Sequence, residues 1–109
     1  MTHKYGEYTE FQVGEFKKRI RKTIFLLLLS VDPKTASQFK HANIKKVFSG
    51  LLYELGGASD VFFEPAEIVE AVNLLERARQ ELFSAEYDFK VYRKLILDAG
   101  ACIDRIKEV

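Results

Sequence analysis

Several residue types that would direct the chain to a specialised fold are scarce. Cys102 is the only cysteine, so no disulfide can form within the chain and a disulfide scaffold is excluded. One unpaired thiol suits a reducing compartment, and the expected location is the cytoplasm. Tryptophan is absent, and two prolines and six glycines are too few for a turn-rich all-β protein. No apolar run approaches the roughly 20 residues of a membrane-spanning helix. The run Ile24 to Leu29 has six. It follows Lys17, Lys18, Arg19, Arg21 and Lys22, and that order mimics a secretion signal. Its late start and short apolar part favour a buried helix segment instead.

What is present describes an ordinary globular protein. Hydrophobic residues make up 48% and charged residues 30% of the 109 positions, and net charge is +1. That length is one domain's worth. There is no internal repeat and no low-complexity stretch. Residues 1–8 read as a loosely held polar leader, and 9–109 as a single helical-bundle domain.

The helices are legible as apolar stripes. Helix 1 is expected from about Thr9, a capping residue, to about Ser30, with Phe16, Ile20, Ile24, Leu27 and Val31 facing the core. Asp32-Pro33 ends it, because a residue before proline avoids the α region. Helix 2 is expected to begin between Pro33 and Ser37. It carries Ile44, Val47, Phe48, Leu51, Leu52 and Leu55 on one face and stops at Gly56-Gly57. Gly50 inside it costs about 1 kcal/mol against alanine, which suggests close approach of a neighbouring helix. Helix 3 starts at Pro65, with Glu64 as cap, Glu67 in the first turn, and Phe63 and Ile68 spaced as a hydrophobic staple.

From Ile68 to Ile106 apolar residues recur in alternating steps of three and four, through Leu82, Ala85, Phe89 and Ile96. Two architectures satisfy this pattern. The expected one is an all-α compact antiparallel bundle of about four helices, with Ser84 capping a separate helix 4. The alternative has three helices. Residues 65–107 would then form one helix about 65 Å long at 1.5 Å per residue, requiring a second chain to cover it.

Charge is unevenly distributed. Residues 1–50 hold ten Lys/Arg against four Asp/Glu, a net of +6, and residues 51–109 hold seven against twelve, a net of −5. Complementary packing of helices 1–2 on helices 3–4 is one explanation. An electropositive surface for an anionic partner is the other, and Lys18, Lys22, Lys45 and Lys46 are its candidate contacts. Lys18 and Lys22 lie opposite the core stripe of helix 1, and Phe25 and Leu29 continue that outward line. With Leu26 and Leu28 at their sides, the segment is apolar all round. Such a helix is normally covered on every side, by its own chain or by a partner.

Catalytic signatures are missing. No Cys-x-x-Cys, His-Glu-x-x-His or Glu-x-x-His spacing occurs, so no metal site is expected. Gly56-Gly57 lacks the flanking pattern of a phosphate loop. Cys102 lies beside the apolar stripe and reads as a buried inert thiol, and His41 as a surface residue. Glu64, Glu67 and Glu70 read as complements to the helix 3 dipole. No cofactor is expected.

These features together predict a non-enzymatic small helical protein acting through protein–protein contacts and self-associating, as an adaptor, regulatory or immunity-type factor. The partner expected is another copy of itself, met through Phe25, Leu26 and Leu29. In the long-helix form Leu82, Phe89 and Ile96 would join the interface. The alternative function is a nucleic-acid-binding accessory protein using the basic face of helices 1–2. The pI of 7.8 is low for that role.

Overall fold

The computed structural model describes residues 2–3, 6–7, 10–39, 43–61 and 65–106. It is a four-helix bundle preceded by a minimal hairpin. Thr2–His3 (β1) and Gly6–Glu7 (β2) pair antiparallel, with Thr2 opposite Glu7 and His3 opposite Gly6. The helices are α1 (Glu10–Leu29), α2 (Ile44–Val61), α3 (Ala66–Leu82) and α4 (Phe89–Asp104). Each packs on the next in sequence, α4 closes the ring against α1, and α3 on α4 is the most extensive contact.

The apolar stripes meet in one core. Ile20, Leu27, Phe48, Leu55, Ile68, Leu75, Tyr92 and Ile103 are fully buried there, with no buried charged residue among those described. Phe16, Val31, Leu82 and Phe89 pack half-buried at its margin. Alternating three- and four-residue steps keep each stripe on one side of its helix, which permits near-antiparallel packing of all four.

Side-chain caps set the starts of α2 and α4. Asn43 Oδ1 accepts from the Lys46 N–H at 3.1 Å, so α2 begins at Ile44 rather than between Pro33 and Ser37. The intervening chain forms turns on Asp32, whose Oδ1 accepts from Lys34 N–H at 2.9 Å, and then a short 3-10 turn over Ala36–Phe39. Helix α2 also runs through Gly56-Gly57 to Val61, contrary to the expected stop. Neither glycine takes the left-handed backbone that makes glycine a terminator. Pro65 is the residue before the first turn of α3, and its carbonyl accepts from Ile68 and Val69 N–H, both at 3.1 Å. Thr9, Phe63 and Glu64, expected as caps and staple, lie outside the described residues.

The single long helix over 65–107 does not form. The chain leaves α3 at Phe83 and re-enters helix at Phe89, with Ala85 exposed in the loop. Ser84 is not the cap of α4. Its hydroxyl accepts from Glu86 N–H at 3.2 Å, while Asp88 Oδ1 accepts from Lys90 N–H at 2.9 Å and starts the helix. Glu81 Oε1 accepts from Asp88 N–H at 2.9 Å and ties the loop to α3. The short side chains of Ser84 and Asp88, with Glu81 reaching across the loop, thus offer the backbone alternatives to helix where the apolar pattern alone continues.

Candidate functional site: the outward face of helix α1

Phe11, Glu15, Lys18, Lys22, Phe25 and Leu29 follow one another at steps of three and four, so they share one line along α1. That line is opposite Val13, Ile20, Ile24 and Leu27, all buried. The chain covers the apolar segment unevenly. Ile24, Leu27 and Leu28 are enclosed, Leu26 and Leu29 are half-buried, and Phe25 remains 54% exposed. Thr35 Oγ1 donates to the Leu29 carbonyl at 2.7 Å and brings the following turn against that end.

Phe11 is 75% exposed on the same line and extends the surface toward the start of α1. Sequence reasoning did not single it out, although its spacing from Lys18 was the available signal. A groove of about 580 Å³ opens here, with Phe11, Phe16, Lys18 and Lys22 among its walls.

The four candidate lysines do not form one patch. Lys18 stands in the outward line with its side chain 76% exposed and its Nζ 3.7 Å from Glu15. Lys22 is exposed one turn on, with no carboxylate within 4.0 Å among the described residues. Lys45 turns toward α3, where its Nζ lies 5.3 Å from the centre of the Phe83 ring. Lys46 is exposed on α2.

The other cations of α1 are engaged inside the fold. Arg19 pairs with Glu54 of α2. Arg21 Nε lies 3.3 Å from Asp104 Oδ1 of α4. Lys17 Nζ donates to the carbonyls of Asp104 and Ile106, at 3.1 and 2.9 Å, where the end of α4 leaves carbonyls unpaired. Each interaction joins the basic half of the chain to the acidic half. Complementary packing therefore accounts for part of the charge asymmetry.

Groups with possible chemistry are dispersed. Cys102 is 1% exposed. Burial is the main cause raising its thiol pKa, the Glu70 carboxylate adds to it, and Arg105 opposes them. Arg105 Nη2 also lies 3.2 Å from the Cys102 sulfur and 3.2 Å from Glu70 Oε2. That arrangement disfavours the thiolate needed for nucleophilic work. His41 lies outside the described residues. Among the described residues, no group of three His, Cys, Asp or Glu side chains could hold a metal ion. No described helix is long and apolar enough to cross a membrane. No protein family, curated protein or solved structure matches this chain.

Proposed function

We propose that this chain is a non-enzymatic interaction protein, an adaptor, regulatory or immunity-type factor, that docks another protein on the outward face of α1. The observation that carries the reading is Phe25. It is an aromatic side chain 54% exposed near the start of an apolar segment whose other members are buried or half-buried, in line with two exposed lysines and Phe11. Exposed aromatic side chains flanked by charge suit interface anchors. The unbridged, buried thiol supports a reducing, cytoplasmic setting.

The chemistry of the face favours an acidic amphipathic segment of a different protein over a second copy. Antiparallel pairing of this line with itself, centred between Lys18 and Lys22, sets Lys18 of one copy against Lys22 of the other. An acidic helix would instead lay carboxylates over both lysines and apolar side chains over Phe11 and Phe25. Nucleic acid is less favoured. Lys17, Arg19 and Arg21 already serve contacts within the fold, so few cations remain to track a phosphate backbone.

Photo-crosslinking tests the reading. A benzophenone amino acid at position 25 is expected to trap a discrete acidic protein in cells. The same group at exposed Asn73 on α3 serves as a control and should not trap it. Lys18→Glu with Lys22→Glu should abolish the adduct. Adducts with nucleic acid, or adducts indifferent to the two lysines, would overturn the proposal.

A further inference from the structure

The turn between α3 and α4 interrupts a pattern that runs straight through it. From Ile68 to Ile106 the apolar positions keep alternating steps of three and four, and Leu82, Ala85 and Phe89 carry them across the turn with no change of phase. The monomer does not need this. Two helices joined by a turn can each bury a stripe whatever the phase between them, and Ala85 is exposed. Residues 83–88 are all exposed and include no glycine or proline. The helix-weakening glycines lie inside α2 instead. There the close approach expected at Gly50 is not found, since an added Cβ would meet nothing within 4 Å.

Three hydrogen bonds from backbone N–H groups to side chains hold the break: Asp88 to Glu81, Glu86 to Ser84 and Lys90 to Asp88. The N–H groups of Ala85, Tyr87 and Phe89 meet no acceptor among the described residues. An uninterrupted helix would pair them with the carbonyls of Glu81, Phe83 and Ala85.

We propose that two copies of this chain exchange α4. The turn straightens, residues 66–104 become one helix about 58 Å long at 1.5 Å per residue, and α4 of each copy takes in the other bundle the place it holds in its own. Such an exchange needs no new complementary surface, because the contacts of α4 are remade between copies. It does need the two stripes in phase. Only then do both halves of the long helix turn the same side to the long helix of the second copy. The register also fits. Arg105 reaches Glu70 at 3.2 Å, and Leu74 and Arg77 of α3 share one groove with Lys94 and Asp98 of α4. These pairs straddle the Ala85–Glu86 peptide about evenly, so the two-fold axis of the exchanged pair passes beside it. Ala85, a small side chain on the stripe, then stands where the two long helices meet.

The exchange gives up the three side-chain bonds and the edge contact of Tyr87 on Tyr92. It gains helical bonds across both turns. The other contacts within each bundle are the same in the two forms, so concentration during folding selects between them. Because α4 must leave the core to change places, the forms interconvert slowly once folded. The exchange depends on the turn and not on the outward line of α1, so it and the docking proposed there can fail separately.

Refolding tests the exchange. The purified chain is returned from denaturant at micromolar and at submillimolar concentration, and its mass is read by chromatography with light scattering. A species of twice 12.6 kDa is expected, in a share that grows with refolding concentration and persists on dilution. Glu70→Cys chains and Arg105→Cys chains, both in a Cys102→Ala background, are refolded as a mixture. A short bismaleimide should join unlike chains in the dimer fraction and not in the monomer fraction. Ala85→Gly with Glu86→Gly should leave the monomer folded and weaken dimerisation about a hundredfold, because glycine disfavours helix and the dimer contains the straightened turn twice. Only the 12.6 kDa chain after refolding at every concentration would overturn the proposal. So would a dimer whose unlike chains stay unlinked, or one that the glycines leave unchanged.

Discussion

The hydroxyl of Tyr92 donates to the carbonyl of Leu27 at 2.7 Å, joining the first turn of α4 to the last turn of α1 inside the core. That carbonyl belongs to a helix end, where backbone acceptors lack helical partners. Its neighbours are also satisfied. Leu26 O accepts from Ser30 N–H at 3.0 Å, and Leu28 O accepts from Val31 and Asp32 N–H at 3.1 and 2.9 Å. Leu29 O is met by the Thr35 hydroxyl. The Tyr92 ring sits edge-on to Phe48 and Tyr87, with centroids at 6.4 and 6.2 Å. The most apolar part of α1 therefore ends in a fixed geometry, which holds the backbone at Phe25 in place one turn earlier.

Tyr92→Phe is expected to cost about 1 kcal/mol at neutral pH, the net worth of one intramolecular hydrogen bond. Burial, with a smaller contribution from Tyr87, raises the pKa of Tyr92 far above 10.0. In the unfolded chain this hydroxyl ionises near pH 10. Stability from its neutral buried form is therefore complete below about pH 10 and is lost as pH rises toward the folded pKa. Denaturant titrations at pH 7 and pH 11 should show the gap between wild type and Tyr92→Phe narrowing at the higher pH. A constant gap would contradict this.

The Arg21 guanidinium lies over Gly100, where an added Cβ would collide with its Nη1, and reaches Asp104 beyond. Because the obstacle is the far end of a flexible side chain, Gly100→Ala should displace Arg21 rather than separate the helices. The lost exposed ion pair is worth about 0–1 kcal/mol, and the helix gains roughly 1 kcal/mol from alanine. A nearly neutral change is expected. In an Arg21→Ala background the same substitution should stabilise by about 1 kcal/mol. Equal effects in both backgrounds, measured by urea unfolding, would contradict the geometry.

Cys102 is expected to react slowly with alkylating reagents in the native state and fast after denaturation, with a rate ratio well above tenfold. The same burial and Glu70 charge that raise its pKa withhold the thiolate. Mass spectrometry during timed labelling checks this. Native labelling at the denatured rate would place the thiol at the surface.

The sequence disclosed the core more fully than the surface. Ile20, Ile24, Leu27, Leu51, Ile68, Leu75 and Ile103 were readable because burial imposes helical spacing on apolar residues. The loop between α3 and α4 was harder to read, since no glycine or proline interrupts the stripe and the break depends on hydrogen bonds accepted by the side chains of Glu81, Ser84 and Asp88. Gly56-Gly57 misled because glycine permits a left-handed turn without requiring one. At the candidate face, a helical wheel separates Phe25 from Ile24 but does not say that Leu28 is buried while Phe25 is exposed. Nor did it show that Arg19 and Arg21 have partners on α2 and α4, because that depends on how the helices are arranged around the ring.

The most direct test of the central claim is the native mass of this protein in extracts of its own cells. Wild type should be compared with a Lys18→Glu, Lys22→Glu, Phe25→Asp variant, all at exposed positions. The wild type is expected to migrate in a particle heavier than a dimer of the chain. The variant should retain its melting temperature and fall to the mass of the isolated protein. A wild type and a variant that migrate alike, with both folded, would contradict docking on α1.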